Sequence, residues 1–281
     1  MHAGSALILV GCSQPGPPGP SSSATPAFSE TPASSVPAPG PAPDVVPPGS
    51  AGEPYAASRT YLEQGGATQQ AWMLCDGLDT GRLFVVGLPD AKGQVTIASF
   101  DKANAATPTL QILLLGPPDP GAGQVYWPLT AAGQSAGALH AFNPGALDQP
   151  TDALTPTFTS VQLGPLQTGC RWLGRTRLMG FTARRSLLVT TAPDGSLEYQ
   201  TFDFSDAASA KPMPPNGAQR STRPSLDVKG GQETGGGFTF ANKGYSYQLS
   251  AGPAGAQVVV GQGGKTISTE PLIAWTIAPK P

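Results

Sequence analysis

From about Tyr55 onward the chain is a series of short apolar segments, each stopped by a turn signal, and this punctuation limits the fold more than any other feature. Leu83–Leu88 runs into Pro89-Asp90-Ala91-Lys92-Gly93, and Leu110–Leu115 ends at Gly116-Pro117-Pro118. Ser186–Thr191 and Ser196–Phe204 flank Ala192-Pro193-Asp194-Gly195, and Phe238–Phe240 and Tyr245–Leu249 flank Ala241-Asn242-Lys243-Gly244. Segments this short are too brief for amphipathic helices, and Asp-Gly between two β-rich runs is a hairpin signal. The 36 Gly and 32 Pro make up about a quarter of the 281 residues, roughly twice average usage. A helical bundle or a coiled coil is excluded on that ground.

Gln94–Phe100 alternates as a half-buried strand does, while Leu110–Leu115 is a continuous apolar run that predicts a strand buried on both faces. Gln124–Leu129, Ala138–Phe142, Thr157–Leu163, Gln257–Val260, Lys265–Ser268 and Leu272–Ile277 continue the series. Ser58–Gln70 allows a helical turn or two, limited by Gly65-Gly66, and a short helix fits Ser205–Ala210. The glycines from Gly230-Gly231 to Gly235-Gly236-Gly237 read as a flexible connection. The fold expected is mainly β. It is an antiparallel sandwich or barrel of hairpins over residues 57–281, with room for two subdomains divided near 165–170.

Residues 13–54 are a different material. They are dominated by Pro, Ser, Thr, Gly and Ala and hold no Lys or Arg. Such a stretch cannot bury enough apolar surface to offset its ordering entropy, so a disordered linker over 12–56 is expected. As a flexible coil it spans about 35–40 Å. Hydrophobic residues are 39% of the chain and its mean hydropathy is −0.11. No apolar run approaches the ~20 residues of a membrane-spanning helix. A formal net charge of −2 excludes a polycation built for nucleic acid.

Just before the linker, Leu7-Ile8-Leu9-Val10 ends at Gly11-Cys12. Leu9-Val10-Gly11-Cys12 resembles the lipobox of bacterial lipoproteins, whose signal peptide is cut before the cysteine. The resemblance implies a signal remnant over 1–11 and diacylglycerol on the Cys12 sulfur. It also implies acylation of the new amino terminus. Three acyl chains at about 0.8 kcal/mol per buried CH₂ hold a protein lastingly, where one does not. Ser13 follows the cysteine, and in that family a residue other than Asp there directs the protein to the outer membrane, facing the periplasm. No Lys or Arg precedes Cys12, unlike the family's charged n-region, and a start upstream of Met1 would account for this. With Cys12 lipidated, Cys75 and Cys170 remain as an even pair, expected to join in an oxidising compartment. Two isolated cysteines do not make a metal site, and neither a metal nor any other cofactor is expected.

Candidate chemistry is sparse. Gly133-Gln134-Ser135-Ala136-Gly137 matches the G-x-S-x-G pattern, but a nucleophile elbow needs a following helix and a later histidine. His140, five residues on, is the last histidine of the chain. The Gly264-Lys265-Thr266 run lacks the first glycine of a P-loop. The densest signal is Arg171, Trp172, Arg175, Arg177, Arg184 and Arg185, in a stretch where no Asp or Glu occurs from Ala153 to Pro193. Arginine's planar fork suits carboxylates and phosphates, so these residues form the candidate binding face for an anionic partner. The competing reading pairs them with acids on neighbouring strands. The functional expectation is a lipid-anchored envelope protein that binds or supports rather than catalyses. Its partners are the membrane through its anchor and peptidoglycan or another envelope protein, not nucleic acid. An inhibitor of a cell-wall hydrolase such as lysozyme is the alternative, on a faint likeness of the Phe238–Leu249 hairpin to those inhibitors. A hydrolase is the least favoured reading.

Overall fold

A computed structural model describes residues 58–278, apart from 79, 122, 143–157, 171–174, 206–223 and 236. Cys12, the linker, Arg171 and Trp172 lie outside these residues, as does all of the helix expected at Ser205–Ala210 except Ser205, which begins a helical turn with Phe204. The first half contributes β1 (Arg59–Gln64), β2 (Ala67–Cys75), β3 (Arg82–Gly87), β4 (Gln94–Asp101), β5 (Asn104–Leu115), β6 (Asp119–Gly121), β7 (Gln124–Ala131), β8 (Gln134–Phe142), β9 (Phe158–Leu163) and β10 (Leu166–Gly169). The second contributes β11 (Thr176–Phe181), β12 (Arg185–Thr191), β13 (Leu197–Asp203), β14 (Leu226–Thr234), β15 (Gly237–Asn242), β16 (Tyr245–Gly252), β17 (Gly255–Gln262), β18 (Lys265–Pro271) and β19 (Ala274–Ile277). The mainly β, antiparallel fold expected from the turn pattern is the one observed.

All the pairings are antiparallel and nearly all join strands next to each other in sequence. The exceptions set the architecture. β19 pairs with β1 on one side and β11 on the other, so the last strand bridges two meanders. One runs β1-β2-β3-β4-β5-β7-β8-β9-β10, the other β11 to β18. The result is one long sheet that curls at each end and does not close.

Each curl wraps its own core. Trp72, Phe84, Ile97, Leu129, Leu139 and Val161 fill the first. Leu187, Tyr199, Phe238, Phe240, Leu249 and Trp275 fill the second. The strand registers put both cores on the same side of the sheet: Tyr61 of the second core lies opposite Gln70, which shares a face of β2 with Trp72. The other side carries a third core of Leu83, Val85, Phe100, Met179, Phe181 and Leu188, where the backs of β3 and β4 meet those of β11 and β12. The Phe100 and Phe181 rings meet edge to face at 5.0 Å. This explains the unbroken apolar runs Leu83-Phe84-Val85-Val86 and Leu187-Leu188-Val189. Alternate side chains enter opposite cores and none reaches water.

Two local expectations are corrected. Ser58–Gln70 holds no helical turn. It is the β1–β2 hairpin, and Gly65 (φ 63°) and Gly66 (φ 81°) supply the two left-handed positions that a two-residue turn needs. Gly230-Gly231 is not a flexible connection. Leu197 pairs with Gly231 and Glu198 with Lys229, so Gly230 (φ 77°) is the extra residue of a bulge that lets β14 leave β13 for β15. A side chain at Gly231 would collide with the buried Phe240 ring.

Among the described residues the first curl has no ladder between its ends. Cys75, at the end of β2, is instead bonded to Cys170, just past β10, as the cysteine count led one to expect. Beside the bond the Thr80 and Thr168 hydroxyls lie 3.4 Å apart. The bond spans 95 residues, a constraint worth at most about 4–5 kcal/mol on the chain-entropy model. Cys75→Ala/Cys170→Ala is therefore expected to lower the urea midpoint to that of the reduced native chain, with Trp72 and Trp127 fluorescence changing first. Matching midpoints for the oxidised and reduced native chains would contradict this role.

Candidate functional site

The arginine run is not gathered into one face. Arg177 points inward and is 3% exposed. Its Nη2 donates to Glu233 Oε1 at 3.1 Å, and its guanidinium lies 5.9 Å from the centre of the Phe238 ring. Arg185 sits between two carboxylates, Asp203 and Glu270, each at 3.4 Å. Both are paired with acids from other strands. Arg175 and Arg184 are exposed, but they flank the two ends of β11, about 20 Å apart at the rise of a strand. Arg175 donates to the Ala192 carbonyl at 3.4 Å.

Arg184 borders a cleft of about 350 Å³ at the seam between the curls, formed by the β4–β5 turn, the β11–β12 turn and the end of β13. Lys102 reaches this seam from the first curl. Its ammonium, 2% exposed, lies 3.2 Å from the fully buried Asp76 carboxylate and donates to the Gly77 carbonyl at 2.6 Å. It also lies 5.7 Å from the centre of the Phe204 ring. Charges in the cleft are therefore largely answered by the protein. Among the described residues, Arg184 is the only cation lining it that has no ion pair. That is a thin basis for anion recognition.

The surface that departs most from an ordinary one is on the first curl. On β5, Leu110, Ile112 and Leu114 are 46%, 66% and 49% exposed. This corrects the expectation of a strand buried on both faces. Leu113 between them enters the core, but the third core reaches only Ala98 and Phe100 on β4 and Ala105 at the start of β5. The Leu110–Leu114 part of β5 lies beyond that cover. The register continues the exposed row across the sheet. Gln94 and Thr96 lie beside it on β4. Thr130, Pro128, Tyr126 and Gln124 follow on β7. Ala138, His140 and Phe142 lie on β8, and Gln162 on β9, with the buried Ser160 beneath His140. Asp119 on β6, opposite Tyr126 and at the edge of the sheet, is the one Asp, Glu, Lys or Arg that the register adds to this face among the described residues. Five of the seven exposed large hydrophobic residues among the described residues belong to this face. A typical surface is about one quarter to one third charged.

A polar cluster holds the outer part of this face in place. The Tyr126 and His140 rings stack with centroids 4.2 Å apart and planes 9° apart. Gln124 Oε1 accepts from the Tyr126 hydroxyl at 2.8 Å and from His140 Nε2–H at 2.7 Å. That leaves His140 Nδ1 as the acceptor, 3.5 Å from the Ser160 hydroxyl. Both ring nitrogens are thus arranged for the neutral imidazole, and burial moves its pKa below the ordinary 6.5.

The remaining motifs take structural places. Gly133–Gly137 forms the β7–β8 hairpin and the start of β8, with Ala132 (φ 48°) and Gly133 (φ 77°) in the turn. A strand, not a helix, follows Ser135. Gly264-Lys265-Thr266 closes the β17–β18 hairpin. In the Phe238–Leu249 hairpin, Phe238, Phe240 and Leu249 are core residues. The uncharged face went unnoticed in the sequence, although one signal was there: from Ala103 to Phe142 the only charged residue is Asp119. No protein-family model matches this chain, and no curated protein or solved structure does so either.

Two outcomes follow. Lys102→Met takes the ammonium away from the buried Asp76 carboxylate and is expected to cost about 3–5 kcal/mol. Lys102→Met/Asp76→Asn should recover much of that loss in a denaturant titration; a double variant as unstable as the sum of the single ones would show no coupling. For His140 the unfolded chain takes up a proton near pH 6.5 and the folded chain only at lower pH. Its contribution is therefore complete above that value and is lost as pH falls through the folded pKa. His140→Gln should flatten the decline of Tm between pH 7 and 5, whereas an unchanged slope would place the decline on other groups.

Proposed function

We propose that this chain is a lipid-anchored protein of the bacterial envelope that acts by binding rather than by catalysis, with the uncharged face of β4, β5, β7, β8 and β9 as its docking surface. The observation that carries the reading is the pairing of the cysteines. Cys75 and Cys170 are joined to each other, which leaves Cys12, at the end of the lipobox-like Leu9-Val10-Gly11-Cys12, as the third. A disulfide between elements so distant in sequence suits an oxidising compartment such as the periplasm. A linker reaching about 35–40 Å as a coil would let the β domain work at a distance from a membrane that holds Cys12. Ser13 favours the outer membrane in the lipoprotein sorting pattern.

The docking role draws support from composition in space. A sheet face with an aliphatic row and a single charged side chain at its edge, Asp119, loses little on desolvation, because that ion can stay in water. The arginine run supplies less, since Arg177 and Arg185 are paired within the fold. Metabolic labelling with palmitate in a bacterial host is expected to mark the native chain and to leave Cys12→Ala unmarked. Equal labelling of the two would refute the anchor.

A further inference from the structure

We propose that the uncharged face is an isologous interface, on which two copies of this chain pack sheet against sheet about a two-fold axis near Ile112. The proposal rests on reading that face as the docking surface, and it does not depend on lipidation of Cys12. Three observations favour a second copy over other occupants.

The first is charge. Under two-fold symmetry a surface meets itself, so any patch of one sign repels its own image. A face made of Gln, Thr, Tyr, Pro, neutral His140 and aliphatic residues carries no such penalty. It also offers nothing that would select a charged partner. Among the described residues, Asp119 on β6 stands beside Tyr126 at the edge of the sheet, and Asp90 and Lys92 lie in the β3–β4 turn; charges at such edges suit the rim, where an interface keeps its polar groups.

The second is the position of the apolar row. Leu110, Ile112 and Leu114 lie on a strand with β4 on one side and β7 on the other. Its most exposed member, Ile112 at 66%, is the middle residue of the three. Two such sheets stacked about 10 Å apart would place row on row, with amides and hydroxyls around it.

The third is size. Five strands at the usual spacing and rise present roughly 600–700 Å². Two copies would then bury roughly 1,200–1,400 Å², within the range of specific interfaces.

The test uses the full chain carrying Cys12→Ala, so that an acyl group cannot drive association. Size-exclusion chromatography with light scattering over a dilution series is expected to give twice the chain mass. Adding Ile112→Lys should halve that mass while leaving the circular dichroism spectrum as it was, because the side chain lies outside the cores. Ile112→Glu should likewise be monomeric. An equimolar mixture of the Lys and Glu variants should regain the dimer mass, since the two side chains would meet near the axis. A parent that is monomeric at every concentration overturns the proposal, as does a dimer that persists in Ile112→Lys. A monomeric parent that sediments with phosphatidylcholine vesicles, and stops doing so with Ile112→Lys, overturns it in favour of a lipid surface. Failure of palmitate labelling would remove the anchor and leave this result intact.

Discussion

The pairing of β1 with β19 is the contact on which the rest of the molecule depends. The first described strand and the last lie side by side, with Tyr61 stacked on Trp275 at 5.6 Å and the buried Thr60 and Thr276 hydroxyls 2.8 Å apart. Because β19 also pairs with β11, one four-residue strand joins the two meanders. Without it the outer sides of β3 and β4 would have nothing to lie against. The third core, with its Phe100–Phe181 contact, is the consequence of that junction. The ordering cost of bringing chain ends together across more than 200 residues is offset by apolar surface that no hairpin could bury alone.

The charged residues follow the same geometry. At the seam and in the second curl, where sheets and turns crowd together, cations are met by acids: Lys102 by Asp76, Arg177 by Glu233, and Arg185 by Asp203 and Glu270. Each pair joins positions far apart in the chain or across strands. Their service is to make partial burial of ions tolerable, more than to add net stability. The first curl takes the opposite course, with almost no charge on its outer face. An exposed, uncharged sheet carrying aliphatic side chains is costly in isolation, since it invites association. It is best understood as a surface meant to be covered.

Much of the fold was legible in the sequence. The Asp194-Gly195 and Lys243-Gly244 turns lie between the strands expected, and the runs at Leu83 and Leu187 became strands buried on both faces. Glycine was harder to read. Gly65-Gly66 and Gly230-Gly231 both looked like interruptions, yet one makes a tight turn and the other a bulge inside a strand. A glycine marks an unusual backbone angle, not the element that contains it. The candidate site was less legible. Five arginines within 15 residues suggested a common face, but strand alternation and a hairpin turn sent Arg177 inward and set Arg175 and Arg184 at opposite ends of β11.

What the sequence determined by itself was local: short strands, tight turns, antiparallel hairpins and an even pair of cysteines after Cys12. These depend on backbone geometry and on periods of two residues, which neighbours in the chain decide between them. What only the tertiary structure decided was which outer faces would be covered. Leu110–Leu115 and Leu83–Leu88 are equally apolar when read along the chain. One keeps three side chains in water and the other buries Leu83 and Val85 against the second curl. The difference lies in where β19 places the second meander, and no local pattern records a contact made across the whole length of the chain.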